Sequence, residues 1–157
     1  MTANSNGQSQ VQTSHPYPGL QSLERLVGTW DVSGPDIQGQ VVFEWMEGSF
    51  FLMQQVDFIH GGHPIKGIEI IGYEREFGAT EPSQHIKSRW FDNGGNSFTY
   101  TYEVDEETLT IWGGEKGSPA YYRGRWRDDG NTNAGSWVYP GGGYASTMTR
   151  AKPSSNG

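Results

Sequence analysis

The chain has 157 residues, a length that fits one domain. Its formal net charge of −7 argues against a nucleic-acid-binding role, which requires a basic surface, and against binding to anionic membrane surfaces. It contains no cysteine, so disulfides, thiolate metal sites and thiol nucleophiles are excluded.

Both ends of the chain are polar. Residues 1–19 are rich in Ser, Gln and Asn and carry too few hydrophobic side chains to offset the entropy of ordering them. We therefore predict disordered tails over residues 1–19 and 151–157 and one folded domain over residues 20–150. No apolar run of signal-peptide or transmembrane type occurs, which favours a cytoplasmic location.

A short amphipathic helical turn opens the predicted domain. Leu20, Leu23 and Leu26 recur at helical spacing, and Gly28 is a stop signal. After Gly28, the period-two alternation typical of strands dominates. The predicted strands, in chain order, are residues 29–33, 40–46, 50–58, 65–73, 83–91, 98–104, 109–112, 120–127, 134–139 and 144–150.

Turn signals separate these strands. Asn93-Gly94 is a hairpin signal because both residues tolerate positive φ, and Pro35 is suited to begin a turn. Even strand spacing, with turn signals about every 8–12 residues, indicates a barrel or a sandwich. An up-and-down order closes easily because neighbours in sequence are neighbours in the sheet. We predict an all-β fold, a closed up-and-down antiparallel barrel of about 8–10 strands.

The start of the predicted domain resembles a known superfamily. The run Leu23-Glu24-Arg25-Leu26-Val27-Gly28-Thr29-Trp30, a helical turn followed by Gly-x-Trp, resembles the start of lipocalins and other calycins. In those barrels the Trp closes the base and often packs under an Arg from the last strand. The resemblance implies that role for Trp30 and Arg150, with a cation–π energy on the order of 0.5–2 kcal/mol.

A second likeness covers more of the chain. The runs at 48–52 (GSFFL), 67–74 (GIEIIGYE) and 90–92 (WFD) resemble an uncharacterised bacterial family of calycin-like barrels, a domain of unknown function. The resemblance implies the barrel fold and names no activity. Nitrobindin-type barrels, which are more distant, bind haem through a His near the C-terminal end. No His follows His85 here, so haem binding of that type is disfavoured.

Polar and aromatic side chains within apolar strands are the candidates for a ligand site. Gln54 lies on the apolar face of its strand, and Glu69 has the same parity as Ile71 and Tyr73. A carboxylate that faces a barrel lumen must pair or shift its pKa, and either marks a candidate site. Whether Glu44 and Glu69 point inward is left open. The candidate ligand contacts are Gln54, Glu69, Tyr73, Trp90 and Tyr100.

We predict a protein that binds a small apolar or amphipathic molecule in the barrel cavity and needs no cofactor or metal. Formation of a homodimer is left open, and we lean against an enzyme. One alternative is a cofactor-independent isomerase, cyclase or lyase that uses Glu69 with Tyr73 or Arg89. A second alternative is haem or metal binding through His60, His63 or His85. The residual alternative is a structural or interaction protein, which a barrel interior packed solid with aromatic side chains would favour.

Overall fold

Ten β-strands and one short helix make up residues 15–152, the part of the chain that the computed structural model describes. A 3₁₀ helix spans Pro18–Leu26. The strands are β1 (Gly28–Ser33), β2 (Ile37–Trp45), β3 (Phe51–His60), β4 (His63–Gly72), β5 (Ile86–Asp92), β6 (Ser97–Val104), β7 (Thr108–Gly113), β8 (Tyr121–Arg127), β9 (Thr132–Tyr139) and β10 (Gly142–Arg150).

The strands form one closed barrel. Each strand pairs antiparallel with the next along the chain, and β10 pairs with β1 to close the sheet. The predicted all-β, up-and-down antiparallel barrel is therefore confirmed, with ten strands. The turns at 34–36, 61–62, 93–96, 114–120 and 140–141 lie at one end, called here the loop end, and the helix lies at the other, the helix end.

Several strands extend further toward the loop end than the sequence indicates. The turn between β3 and β4 has only two residues, Gly61 and Gly62, and both have positive φ, as tight hairpin turns require. β2 begins at Ile37 and not at residue 40 as predicted, because Gly39 continues the strand. A Cβ at Gly39 would lie 2.2 Å from the carbonyl oxygen of Asp57, so only glycine fits against β3 there.

The helix covers one end of the barrel. Leu20, Leu23 and Leu26 are fully buried in the core cluster, as their helical spacing predicts. Pro18, which the sequence assigned to the N-terminal tail, is the first residue of the helix. Residues 15–19 and 151–152 of the predicted tails are described, whereas residues 1–14 and 153–157, with the predictions that concern them, lie outside the described residues.

Trp30 and Arg150 join the ends of the barrel sheet beneath this helix. Trp30 is fully buried and faces Arg150 in the β1–β10 register. The Arg150 guanidinium carbon lies 4.2 Å from the centroid of the Trp30 ring, and the guanidinium donates hydrogen bonds to the carbonyls of Val27 and Arg25. Gly28 has a φ of 126°, and a Cβ there would lie 2.6 Å from a guanidinium nitrogen of Arg150. The glycine of Gly-x-Trp thus makes room for the arginine.

Pro18–Leu26 is the one helix among the described residues. It is not long and apolar enough to cross a membrane.

Candidate functional site

The barrel encloses a cavity of about 370 Å³. Its lining extends from the deep end, near the helix, to side chains beside the loop-end turns, such as His60 and Asn96. The volume lies in the range of about 300–1,000 Å³ that small-molecule pockets occupy. The interior is therefore open and not filled solid by aromatic side chains.

Apolar side chains form most of the cavity wall. The aromatic lining residues are Phe43, Phe58, Trp90, Phe98, Tyr100, Tyr102, Tyr122, Trp137 and Tyr144. The aliphatic lining residues are Val32, Ile37, Val41, Val56, Ile65, Leu109, Ile111 and Met148. Trp137 lies between two tyrosines, with ring centroids 6.0 Å from Tyr100 and 5.7 Å from Tyr122. The wall therefore offers adjoining aromatic surfaces to a bound molecule.

One buried carboxylate lies at the deep end of the cavity. Glu69 on β4 is 4% exposed and directly opposes Gln54 on β3. Its Oε1 accepts hydrogen bonds from Gln54 Nε2 at 2.7 Å and from the Tyr102 hydroxyl at 2.9 Å. Its Oε2 accepts a hydrogen bond from the Ser88 hydroxyl. These four residues, Gln54, Glu69, Ser88 and Tyr102, are called here the Glu69 cluster.

Burial controls the charge of this cluster. It raises the pKa of Glu69 from 4.5 to about 7, although the hydrogen bonds from Ser88, Tyr102 and Gln54 act in the opposite direction. Burial and the nearby Glu69 carboxylate raise the pKa of Tyr102 well above 10, so this phenol remains a neutral donor. Glu69 thus exchanges a proton near neutral pH and, when ionised, offers a buried acceptor to the cavity.

Asp92 provides a second carboxylate, at the loop end of the cavity. It accepts hydrogen bonds from Trp90 Nε1 at 2.9 Å and from the backbone amides of Gly94 and Asn96. Partial burial opposes ionisation, but these hydrogen bonds outweigh it and lower the pKa of Asp92. Asp92 is therefore a fixed negative charge near the cavity entrance.

Four of the five candidate ligand contacts line the cavity: Gln54, Glu69, Trp90 and Tyr100. Tyr73 lies outside it, at the helix end, with its ring 5.6 Å from that of Tyr17. The reason is that β4 ends at Gly72, so the alternation that turns Glu69 inward does not continue to Tyr73. Glu44, whose orientation the sequence left open, is exposed.

The partners expected for Glu69 in an enzyme are not the ones that reach it. Arg89 points outward and pairs with Glu74 at 3.0 Å. Ser88 and Tyr102 contact Glu69 instead. Ser88 shares the inner face of β5 with Ile86 and Trp90, which lie two positions before and after it. This period-two spacing is the signal that could have identified it.

The histidines that could bind a metal or haem lie at different places in the barrel. His60 lines the cavity and stacks on Tyr144, with ring centroids 4.4 Å apart, whereas its cross-strand neighbour His63 is exposed. His85 precedes β5 at the opposite end of the barrel. Within residues 15–152 no group of three or more His, Cys, Asp or Glu side chains could hold a metal ion. Ligation of haem or metal by a single histidine remains a prediction.

No family model matches the chain, and no curated protein matches it. The closed antiparallel barrel is consistent with a calycin-like fold.

Proposed function

We propose that this protein binds a small apolar or amphipathic molecule inside the barrel. The observation that carries the proposal is the cavity of about 370 Å³, with its aromatic and aliphatic wall and its single deep polar cluster. Small-molecule sites have this composition, because apolar walls supply binding energy and a few polar groups fix the ligand's orientation. A ligand gains about 25 cal/mol for each Å² of apolar surface that it buries there.

We further infer that the chain belongs to the uncharacterised bacterial family of calycin-like barrels and acts in the cytoplasm. The pair formed by Trp30 and Arg150 beneath the helix supports the calycin-like part of the first inference, since the resemblance to lipocalins and other calycins implies this arrangement. The absence of cysteine fits the reducing cytoplasm.

A second candidate function is proton transfer on a bound substrate. The observation that favours it is the contact between Glu69, whose pKa burial raises to about 7, and the neutral phenol of Tyr102. General acids and bases work best with a pKa near the operating pH. A bound molecule whose mass or structure changes on incubation with the wild type, and not with Glu69→Gln, would favour the enzyme over the carrier.

Filling the cavity from within tests the binding function. Ser146 lines the cavity on β10, whereas its neighbour Ala145 is exposed on the outer face. Ser146→Phe adds a ring inside the barrel, and Ala145→Phe adds the same ring outside. The measurement is titration with a neutral naphthalene dye whose emission rises in apolar surroundings.

We expect the wild type and Ala145→Phe to bind one dye per chain, and Ser146→Phe to bind it at least about tenfold more weakly, a loss of about 1.4 kcal/mol. Far-ultraviolet circular dichroism is the check that both variants retain the barrel. Equal binding by all three proteins would place the dye outside the cavity and overturn the proposal, as would no binding by the wild type.

A further inference from the structure

The charges that line the cavity have one sign. Among the described residues, the lining includes the carboxylates of Glu69 and Asp92 and no Lys or Arg. His60 is the basic side chain of the lining and lies at the loop end, where its Nε2 is 3.9 Å from an Asp36 carboxylate oxygen and its ring stacks on Tyr144. An anionic ligand such as a fatty acid would therefore meet two carboxylates and no compensating cation, a costly arrangement in an interior of low dielectric constant.

The Glu69 carboxylate retains capacity for a further donor. An ionised carboxylate has about four acceptor positions, and the Glu69 cluster supplies three donors. Oε1 receives two of them and Oε2 only the one from Ser88. Since Glu69 also lines the cavity, a ligand N–H at the deep end can complete its hydrogen bonding.

Aromatic rings surround this carboxylate on the cavity side. Trp90 is the cross-strand neighbour of Glu69, and Tyr100 is the cross-strand neighbour of Ser88. Trp137 lies next to Tyr100, closer to the loop end. Aromatic faces attract cations, most strongly where the cation is desolvated, so the deep end combines an anion with surfaces that favour positive charge.

We propose that the ligand is a small organic amine, bound as its protonated form with the nitrogen at Glu69 and the apolar remainder directed along Trp90, Tyr100 and Trp137 toward the loop end. This inference depends on the proposed binding function and specifies the chemical class of its ligand. Asp92 at the loop end and the net charge of −7 favour the approach of a cation.

A set of three ligands with one carbon skeleton tests the inference. Naphthylmethylamine, naphthylmethanol and naphthoic acid present a cation, a neutral group and an anion on the same ring system, and calorimetry measures their affinities. For the wild type at neutral pH we expect the amine to bind about tenfold more tightly than the alcohol, and the acid to bind most weakly.

Two isosteric variants assign the preference to Glu69. Glu69→Gln should lose the preference for the amine while it retains the affinity for the alcohol, which also shows that its cavity is intact. Glu44→Gln removes an exposed carboxylate from β2 and should behave as the wild type.

The amine affinity should also depend on pH. The groups that face Glu69 are Gln54 on β3, Ser88 and Trp90 on β5, and Tyr100 and Tyr102 on β6, and burial keeps the two phenols neutral by raising their pKa values. Binding of the ammonium requires ionised Glu69, so the affinity for the amine should rise between about pH 6 and pH 8, and that for the alcohol should not.

The outcomes separate the two proposals. If the alcohol binds the wild type as tightly as the amine, or the acid binds most tightly, the amine inference is overturned while the cavity remains a binding site. If Glu69→Gln retains the preference for the amine, the assignment to Glu69 is overturned. If none of the three molecules binds, the proposed binding function itself fails.

Discussion

Gln54 and Glu69 oppose each other directly on β3 and β4, and the amide of Gln54 donates a 2.7 Å hydrogen bond to the Glu69 carboxylate. A carboxylate inside an apolar barrel is costly unless its oxygens have partners. Gln54, Ser88 and Tyr102 supply those partners, so the barrel can retain an acid at the deep end of its cavity.

Glu69 should make the folding stability fall as the pH rises. Its pKa in the folded protein is about 7, above the ordinary 4.5, so the folded state holds the proton over this window while the unfolded state releases it. The stabilising contribution of the protonated acid is present below about pH 4.5 and is lost as the pH rises to about 7, a loss of about 3 kcal/mol. Comparison of the unfolding free energies of the wild type and Glu69→Gln between these limits measures it. Glu44→Gln is the matched control and should retain the wild-type slope; an equal slope in Glu69→Gln would contradict the prediction.

Tyr102→Phe should raise the pKa of Glu69 further. The Tyr102 hydroxyl stabilises the ionised carboxylate, so its removal leaves burial opposed by only Ser88 and Gln54. NMR titration of the Glu69 side-chain carboxyl reports the shift, and the lost hydrogen bond should lower the unfolding free energy by about 1 kcal/mol. Tyr139→Phe removes an exposed phenol and serves as the control. An unchanged titration in Tyr102→Phe would show that this hydrogen bond does not form in solution.

Arg150→Lys should destabilise the barrel by about 2 kcal/mol in urea unfolding, because a lysine cannot replace the planar guanidinium. That group stacks on Trp30 and donates to the carbonyls of Val27 and Arg25 at 2.7 and 3.0 Å. The exposed Arg125 gives the matched variant Arg125→Lys, which should change little. If both variants retain wild-type stability, the prediction is wrong, because lysine would then replace the stacking and hydrogen bonds of the Arg150 guanidinium without loss.

Gly67→Ala should displace Trp90 and weaken ligand binding. A Cβ at Gly67 would lie 2.7 Å from the Trp90 ring and 2.6 Å from the carbonyl oxygen of Phe91, so the indole, which donates to Asp92, and the β5 backbone must shift. Overpacking of this kind costs about 1–3 kcal/mol. Tryptophan emission should shift to the red, and dye affinity should fall. Gly113→Ala is the control, because its Cβ would meet Ala120 at an ordinary 3.6 Å; identical spectra and affinities for both variants would refute the prediction.

Much of the fold follows from the period-two alternation and the turn residues. Counting back along both strands from the turn at Gly61-Gly62 pairs Gln54 with Glu69. The predicted loop, residues 59–64, is longer but has the same centre, so it gives the same strand register. Parity also places Trp90 and Tyr100 on the inner face. It does not apply to Tyr73, because the strand ends one residue earlier.

The contacts of Ser88 and Tyr102 with Glu69 could not be predicted from the sequence. Residues 73–85 connect β4 to β5, and a connection of that length does not fix the register between the two strands. The approach of Ser88 and Tyr102 to Glu69 depends on that register. Arg89, a suspected partner of Glu69, lies on the outer face beside Glu74, as its position between the inward Ser88 and Trp90 could have indicated.

Native mass spectrometry of the protein isolated from its own cells tests the central claim most directly. The account predicts one small molecule on each wild-type and Ala145→Phe chain, released on unfolding and absent from Ser146→Phe. The same added mass on Ser146→Phe would contradict a site inside the barrel. Bare masses for all three proteins, together with no uptake of the neutral dye, would contradict a binding function altogether.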